Sequence, residues 1–347
     1  MNKLIKTIID SVGLPRIIIF LFLVFLLILT PFVGLRFDTT LGDVIVRFGM
    51  NGILVLSLVP MLESGCGLNF GLQVGIVAGL LGAVISVEMN KIGFIGFFTA
   101  IGIAIFFAVI LGFFYGLLLN KIKGNEMVVG TYVGLSIVSF MCIMWLILPF
   151  KSPNMVYALA SSGLRPTISI DGYYYHILSD FLKINIGGIA FPTGTILFFV
   201  LLTFLVWLFM RTKIGTAMTI VGTNPDYANS CGVNIEKIRI ISVILSTVIA
   251  AIGIIVYQEG LGFIQLYIAP LFMAFPTIAA LLLGGASVGK VSIKNVIIGI
   301  FLFQGILTVT PSVINNIVKL DMSEVIRIIV SNGVIIYALT RVVRVRT

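Results

Sequence analysis

Apolar runs long enough to cross a membrane recur along the chain, separated by short polar breaks. They fall near residues 17–36, 44–63, 68–87, 92–119, 127–149, 191–210, 239–257, 263–285, 292–311 and 325–341. A helix needs about 20 apolar residues to span the hydrocarbon core, so the pattern predicts an all-α, polytopic membrane protein with about ten transmembrane helices. The first run is interrupted only late, by Pro31 and Gly34. It exceeds a signal-peptide core and no small-residue cleavage site follows it, so it reads as a first span. Between the second and third runs stands Glu63-Ser64-Gly65-Cys66-Gly67, either a tight turn or an interruption in one broken element. The pairs Gly75/Gly79, Gly112/Gly116 and Gly130/Gly134 have the spacing that lets helices approach closely.

Charge orients these runs. With the N-terminus inside, fourteen of the 22 Lys and Arg fall on inner segments and six on outer ones, while Arg47 and Arg327 lie within runs. That bias follows the positive-inside rule, and an even number of spans puts both termini in the cytoplasm. At 59% hydrophobic and 10% charged residues, with mean hydropathy +1.20, a water-soluble globule is excluded. No stretch is left for a nucleotide-binding domain of about a hundred residues. The net charge of +9 is accounted for by the inner loops and needs no nucleic acid. Cys66, Cys142 and Cys231 lack metal-ligand spacing and read as small hydrophobes. The chain is thus one membrane domain over residues 1–347.

Two loops stand out. The outer loop 150–190 centres on Tyr173-Tyr174-Tyr175-His176, which predicts an interfacial helix, or alternatively a docking surface. His176, the one histidine, has no partner at ligand spacing and reads as a surface or interface residue. In the inner loop 211–238, Asn224 suits an N-cap, Pro225 the first helical position, and Asp226 the positive end of the helix dipole. Gly232 suits the left-handed position beyond the last turn. These signals predict a capped helix over Pro225–Cys231, stiffer than a loop that merely returns the chain.

Candidate chemistry narrows the picture by what it lacks. Gly284 to Lys290 has phosphate-loop spacing, but Val291 stands where a Mg²⁺-binding hydroxyl is required and the preceding run is of membrane length. A tight turn explains the glycines. No nucleophile–base pair, paired carboxylates or metal cluster is visible, so the chain reads as non-enzymatic, with no metal and no cofactor. Polar residues in or beside the runs are Arg47, Asn51, Glu63, Asn69, Gln73, Gln258, Glu259, Gln265, Gln304, Arg327, Ser331 and Asn332. Such groups face protein or water. Amides dominate the set, which suits a passage for a neutral hydroxylated or amide-bearing solute better than a proton relay. Asn51, Asn69, Gln73, Gln265, Gln304 and Asn332 are the candidate passage residues; each could instead be a helix–helix hydrogen bond. Arg47 and Arg327 read as span-end charges or as partners of carboxylates.

Arg211-Thr-x-x-Gly215, followed by Gly222-Thr-Asn224-Pro-x-x-Ala228-x-x-x-Gly232-Val-Asn, resembles the coupling region of bacterial ABC-importer permeases for simple sugars, nucleosides and branched-chain amino acids. Leu283-Gly284-Gly285-Ala-Ser287 is similar to a late turn of the ribose/galactose branch, and Gly52–Gly71 to an early Gly-rich segment. The likeness covers about 43–341. It implies a multi-pass permease of the bacterial cytoplasmic membrane that pairs with a second or homologous copy. It further implies two ATP-binding-cassette ATPases inside and a solute-binding protein outside, with Gly222, Asn224, Pro225, Asp226, Ala228 and Gly232 in the ATPase-coupling element. The solute would cross by alternating access. Cys66-Gly-Leu-Asn-Phe-Gly71 and Asn125–Thr131 lean to the nucleoside branch, whereas Gly284-Gly285 leans to sugars. A monosaccharide of ribose or galactose type is the favoured solute and a nucleoside the alternative. A reading of another class is an ATP-independent carrier or channel.

Overall fold

A computed structural model describes residues 14–156, 163–182, 184–186, 189–287, 291–319 and 322–346. Nearly all the ordered elements are helices. Helix α1 (Leu14–Phe32) leads into α2 (Phe37–Leu56), which a short break separates from α3 (Val59–Glu63). Then come α4 (Gln73–Glu88), α5 (Gly93–Lys121) and α6 (Glu126–Ile147). Strand β1 (Thr167–Ser169), α7 (Ile177–Asp180), β2 (Ile184–Ile186) and β3 (Ile189–Phe191) make up the long loop. The chain re-enters the bundle in α8 (Thr193–Met210), continues through α9 (Lys213–Thr223) and α10 (Pro225–Ser230), and returns in α11 (Ile235–Leu261). Strand β4 (Phe263–Gln265), α12 (Ile268–Phe272), α13 (Ala274–Leu283), α14 (Ile293–Val318) and α15 (Ser323–Arg346) complete it.

Six helical stretches among the described residues are long and apolar enough to cross a membrane, and three apolar ones are shorter. The ten expected runs therefore coincide with helical regions without all reaching spanning length. Two differences have local causes. Residues 64–72 are not helical, because Gly65 and Gly67 take positive φ (71° and 82°) and turn the chain after α3, delaying α4 to Gln73. The run 263–285 is not one helix: Pro270 and Pro276 stand near the starts of α12 and α13, where a missing N–H costs least.

Helices α4, α5 and α11 form the tightest part of the core. A Cβ on Gly75 or Gly79 would fall within 2.7 Å of an α11 carbonyl, and one on Gly112 would overlap Thr247. Only glycine admits such an approach, so the paired glycines serve packing. Near Gly284 the same logic holds, since an added Cβ would lie 1.8 Å from the Asn295 carbonyl oxygen of α14. Residues 288–290 of the phosphate-loop-like stretch lie outside the described residues, and what precedes it is a helix, not a strand.

The Tyr173–His176 segment is a turn, not an interfacial helix. Tyr174 is fully buried, and the loop is laced onto the bundle instead. Strand β1 pairs antiparallel with β4, Thr167 opposite Gln265. The buried Glu259 carboxylate accepts the Leu178 N–H at 3.0 Å. His176 is half-buried at the same seam, with φ 54° and its ring edge-on to Tyr175.

Candidate functional site

The capped helix forms where its signals place it, as α10, one residue shorter than expected. Asn224 adopts extended backbone and its Oδ1 accepts the Tyr227 N–H at 3.0 Å, satisfying a donor that the first turn would otherwise leave open. At the far end Gly232 (φ 77°) turns the chain, and the Val233 N–H returns to the Ala228 carbonyl. The exposed face carries Pro225, Asp226, Tyr227, Asn229 and Ser230. A hydrogen bond to Cys231 raises the Tyr227 hydroxyl pKa above the ordinary tyrosine value. Ala228 is not on this face. It is fully buried against Met218, Val221 and Ile238, so it seats the helix and is not available to touch another protein.

Gly222, one turn before α10, lies against the turn that ends α3. A Cβ there would sit 2.0 Å from the Glu63 carbonyl oxygen and 2.9 Å from the Gly65 nitrogen. The same turn is gripped from its other side. Ser64 and Ser242 hydroxyls share a hydrogen bond of 2.7 Å, and Arg239 donates to the Cys66 sulfur at 3.3 Å while pairing with Glu126. Cys66 is therefore not a plain small hydrophobe but part of a buried polar knot. Residues 63–67 thus join α9–α10 to α2–α3, α6 and α11.

Helix α11, at 27 residues, is about 40 Å long and separates this end from the other. At the β4 end the bundle encloses a cavity of about 210 Å³. Its polar lining comes from Arg47 and Asn51 on α2, Tyr257 on α11, Gln265 on β4, Thr277 on α13, Gln304 on α14 and Arg327 on α15. A second cavity of about 340 Å³ shares Arg47, Leu307 and Arg327 with the first and adds Asp43, Ser312 and Ser323. Neither the Gln265 nor the Gln304 amide has a hydrogen-bond partner among the described residues. Asn51 donates to the Arg47 carbonyl oxygen at 2.9 Å.

Of the six candidate passage residues, Asn51, Gln265 and Gln304 converge on this cavity and three do not. Asn69 is fully buried elsewhere, its amide donating to Ser246 at 2.9 Å and accepting from the Tyr115 hydroxyl at 3.2 Å. Gln73 is buried beside Gly134 with no partner among the described residues. Asn332 is exposed on α15. The non-helical stretch before α4 explains the first two, because it turns both side chains between helices. Arg47 and Arg327 contribute more to the cavity than a span-end charge would. Arg327 does pair with a carboxylate, Glu324 at 3.6 Å, but Arg47 makes no ion pair or hydrogen bond through its guanidinium among the described residues, and both line the cavity. A charge within an apolar run was the available signal. No group of three or more His, Cys, Asp or Glu that could hold a metal occurs among the described residues.

The family model described as "Branched-chain amino acid transport system / permease component" matches residues 40–339. The autoinducer 2 import system permease protein LsrC of Photorhabdus laumondii is 26% identical over 247 residues, 67% of this chain and 63% of that protein. LsrC of Escherichia coli strain SMS-3-5 is 30% identical over 43% of this chain and 45% of its own. The nucleoside ABC transporter permease protein NupB of Lactococcus lactis is 26% identical over 38% and 35% respectively. The chain thus spans less than two thirds of the length of these relatives.

Proposed function

The chain belongs to the branched-chain amino acid transport system permease family, and on that premise we propose that it is the membrane-spanning subunit of an ATP-driven importer for a small polar solute, a monosaccharide of ribose or galactose type. The observation that carries this reading is the separation of two features in one bundle. A capped helix with an exposed polar face stands at one end, and a cavity lined with amides toward the other. Helices α2 and α3, with only Ser57 and Leu58 between them, run from the cavity residues Arg47 and Asn51 to the Glu63 turn under Gly222. In this reading α10 docks on an ATPase subunit in the cytoplasm and the long loop with β1 faces outward toward a solute-binding protein. Closure of the ATPase pair moves α9–α10, and the turn passes the movement to the cavity wall. ATP hydrolysis belongs to the partner. A second permease copy or a homologue completes the passage.

A nucleoside is the second reading of the solute, favoured by the Asn125–Thr131 segment and by the nucleoside permease among the relatives. The test is reconstitution of the chain with the ATPase encoded beside it, measuring association, ATP hydrolysis and uptake. Stable association and ATP-dependent uptake support the importer. Uptake into proteoliposomes without any ATPase overturns it in favour of a self-sufficient carrier.

A further inference from the structure

The cavity of about 210 Å³ carries two cations and no anion. Arg47 and Arg327 line it, and none of its lining residues is a carboxylate. The acids that accompany the arginines sit outside it. Asp43 borders the adjoining cavity and is exposed, and the Glu324 side chain is 74% exposed where it pairs with Arg327. The Arg47 guanidinium has no hydrogen-bond or ion-pair partner among the described residues. Asp43, one helical turn away on α2, acts on it electrostatically without a close pair, so its donors remain open to an anionic group in the cavity. The guanidinium's planar fork of donors matches carboxylate and phosphate oxygens. Both arginines also line the wider cavity, so they stand where the two cavities adjoin. Beyond them the unpartnered Gln265 and Gln304 amides offer donors and acceptors for hydroxyl or carbonyl groups.

We propose that the solute taken by this cavity is a small polyhydroxylated molecule bearing one anionic group, a carboxylate or a phosphate, which Arg47 and Arg327 hold while Gln265 and Gln304 bind its neutral part. The proposal rests on the importer reading and narrows its small polar solute to an acidic sugar derivative in place of a neutral monosaccharide.

The experiment uses the full chain assembled with its ATPase in lipid nanodiscs. Binding of radiolabelled D-gluconate and D-ribose 5-phosphate is compared with that of D-glucose, D-ribose and uridine. At least one acidic probe should bind tenfold or more tightly than its neutral counterpart, with a preference that shrinks as salt rises from about 50 to 500 mM. Which acidic probe wins separates carboxylate from phosphate. Arg47→Gln and Arg327→Gln should each lower the ratio of acidic-probe to neutral-probe affinity about tenfold, whereas Arg47→Lys retains part of the preference. Equal binding of acidic and neutral probes, failure of both acidic probes, or a preference that survives both glutamine variants overturns the proposal. Because the wild-type comparison decides by itself, a variant that fails to fold leaves the test intact. Failure of the wild-type chain to associate with the ATPase would instead sink the importer reading.

Discussion

Replacing Gly222 with alanine adds one methyl group at the contact between α9 and the turn after α3. Built on the present backbone, its carbon would lie 2.0 Å from the Glu63 carbonyl oxygen, and 2.9 Å from the Glu63 carbonyl carbon and from the Gly65 nitrogen. Carbon–oxygen contacts settle near 3.3–3.6 Å, so the backbones must part by more than about 1 Å. The atoms in the way are main chain on both sides, and no flexible side chain can yield instead. Overpacking of this kind costs about 1–3 kcal/mol. At about 1.4 kcal/mol per tenfold, the seated position of α9–α10 should lose between roughly fivefold and a hundredfold in population. Hydrogen exchange over residues 213–230 should rise by at least fivefold, and uptake per ATP hydrolysed should fall in the reconstituted complex. Gly102→Ala is the control, because an added Cβ there meets nothing within 4 Å and exchange at 213–230 should stay as in the wild type. Wild-type exchange and wild-type uptake in Gly222→Ala would refute the idea that this contact transmits movement.

Ala228→Glu should unseat α10, because the new carboxylate would be buried among Met218, Val221 and Ile238; exchange over 224–233 rises and ATPase association is lost together. Tyr227→Ala removes an exposed ring and should weaken association, read by co-purification, while leaving exchange in place. Asn69→Leu leaves the buried Tyr115 hydroxyl without its acceptor and should cost about 1–3 kcal/mol in thermal stability without altering solute preference. A changed preference at unchanged stability would return Asn69 to the passage. Glu259→Ala deprives the Leu178 N–H of its acceptor and should speed exchange at residues 176–180, with little change at α10.

Signals that act within one turn of chain were readable from sequence. Asn224, Pro225 and Gly232 fix α10 through caps and a positive φ, and these need no knowledge of neighbours. The apolar runs were readable for the same reason, since composition alone determines which segments prefer lipid. What depended on neighbours was not. Ala228 looked available for docking because its helix is exposed, yet which side faces inward is set by Met218 and Ile238, ten residues away in either direction. Asn69 and Gln73 have the same chemistry as Asn51 and Gln304, and only the positive-φ glycines before α4 send them into a helix interface. The two arginines line one cavity from 280 residues apart in the chain, a separation over which residue spacing carries no information.

The three helices locked by Gly75, Gly79 and Gly112 leave no layer of side chains between their backbones, and bodies joined in this way slide or rotate only by breaking contact. The cavity borrows just one wall, Tyr257 on α11, from that block. Its remaining faces belong to α2, β4 and α12–α15. Two of those faces, α13 and α14, are locked to each other in the same way, a Cβ on Gly299 falling 2.0 Å from the Ala280 carbonyl oxygen, so any widening has to come between this second block and the first. Helix α2 approaches the first block backbone to backbone at Gly253, where a Cβ would lie 2.9 Å from the Leu54 nitrogen, which makes that crossing a natural fulcrum for the movement.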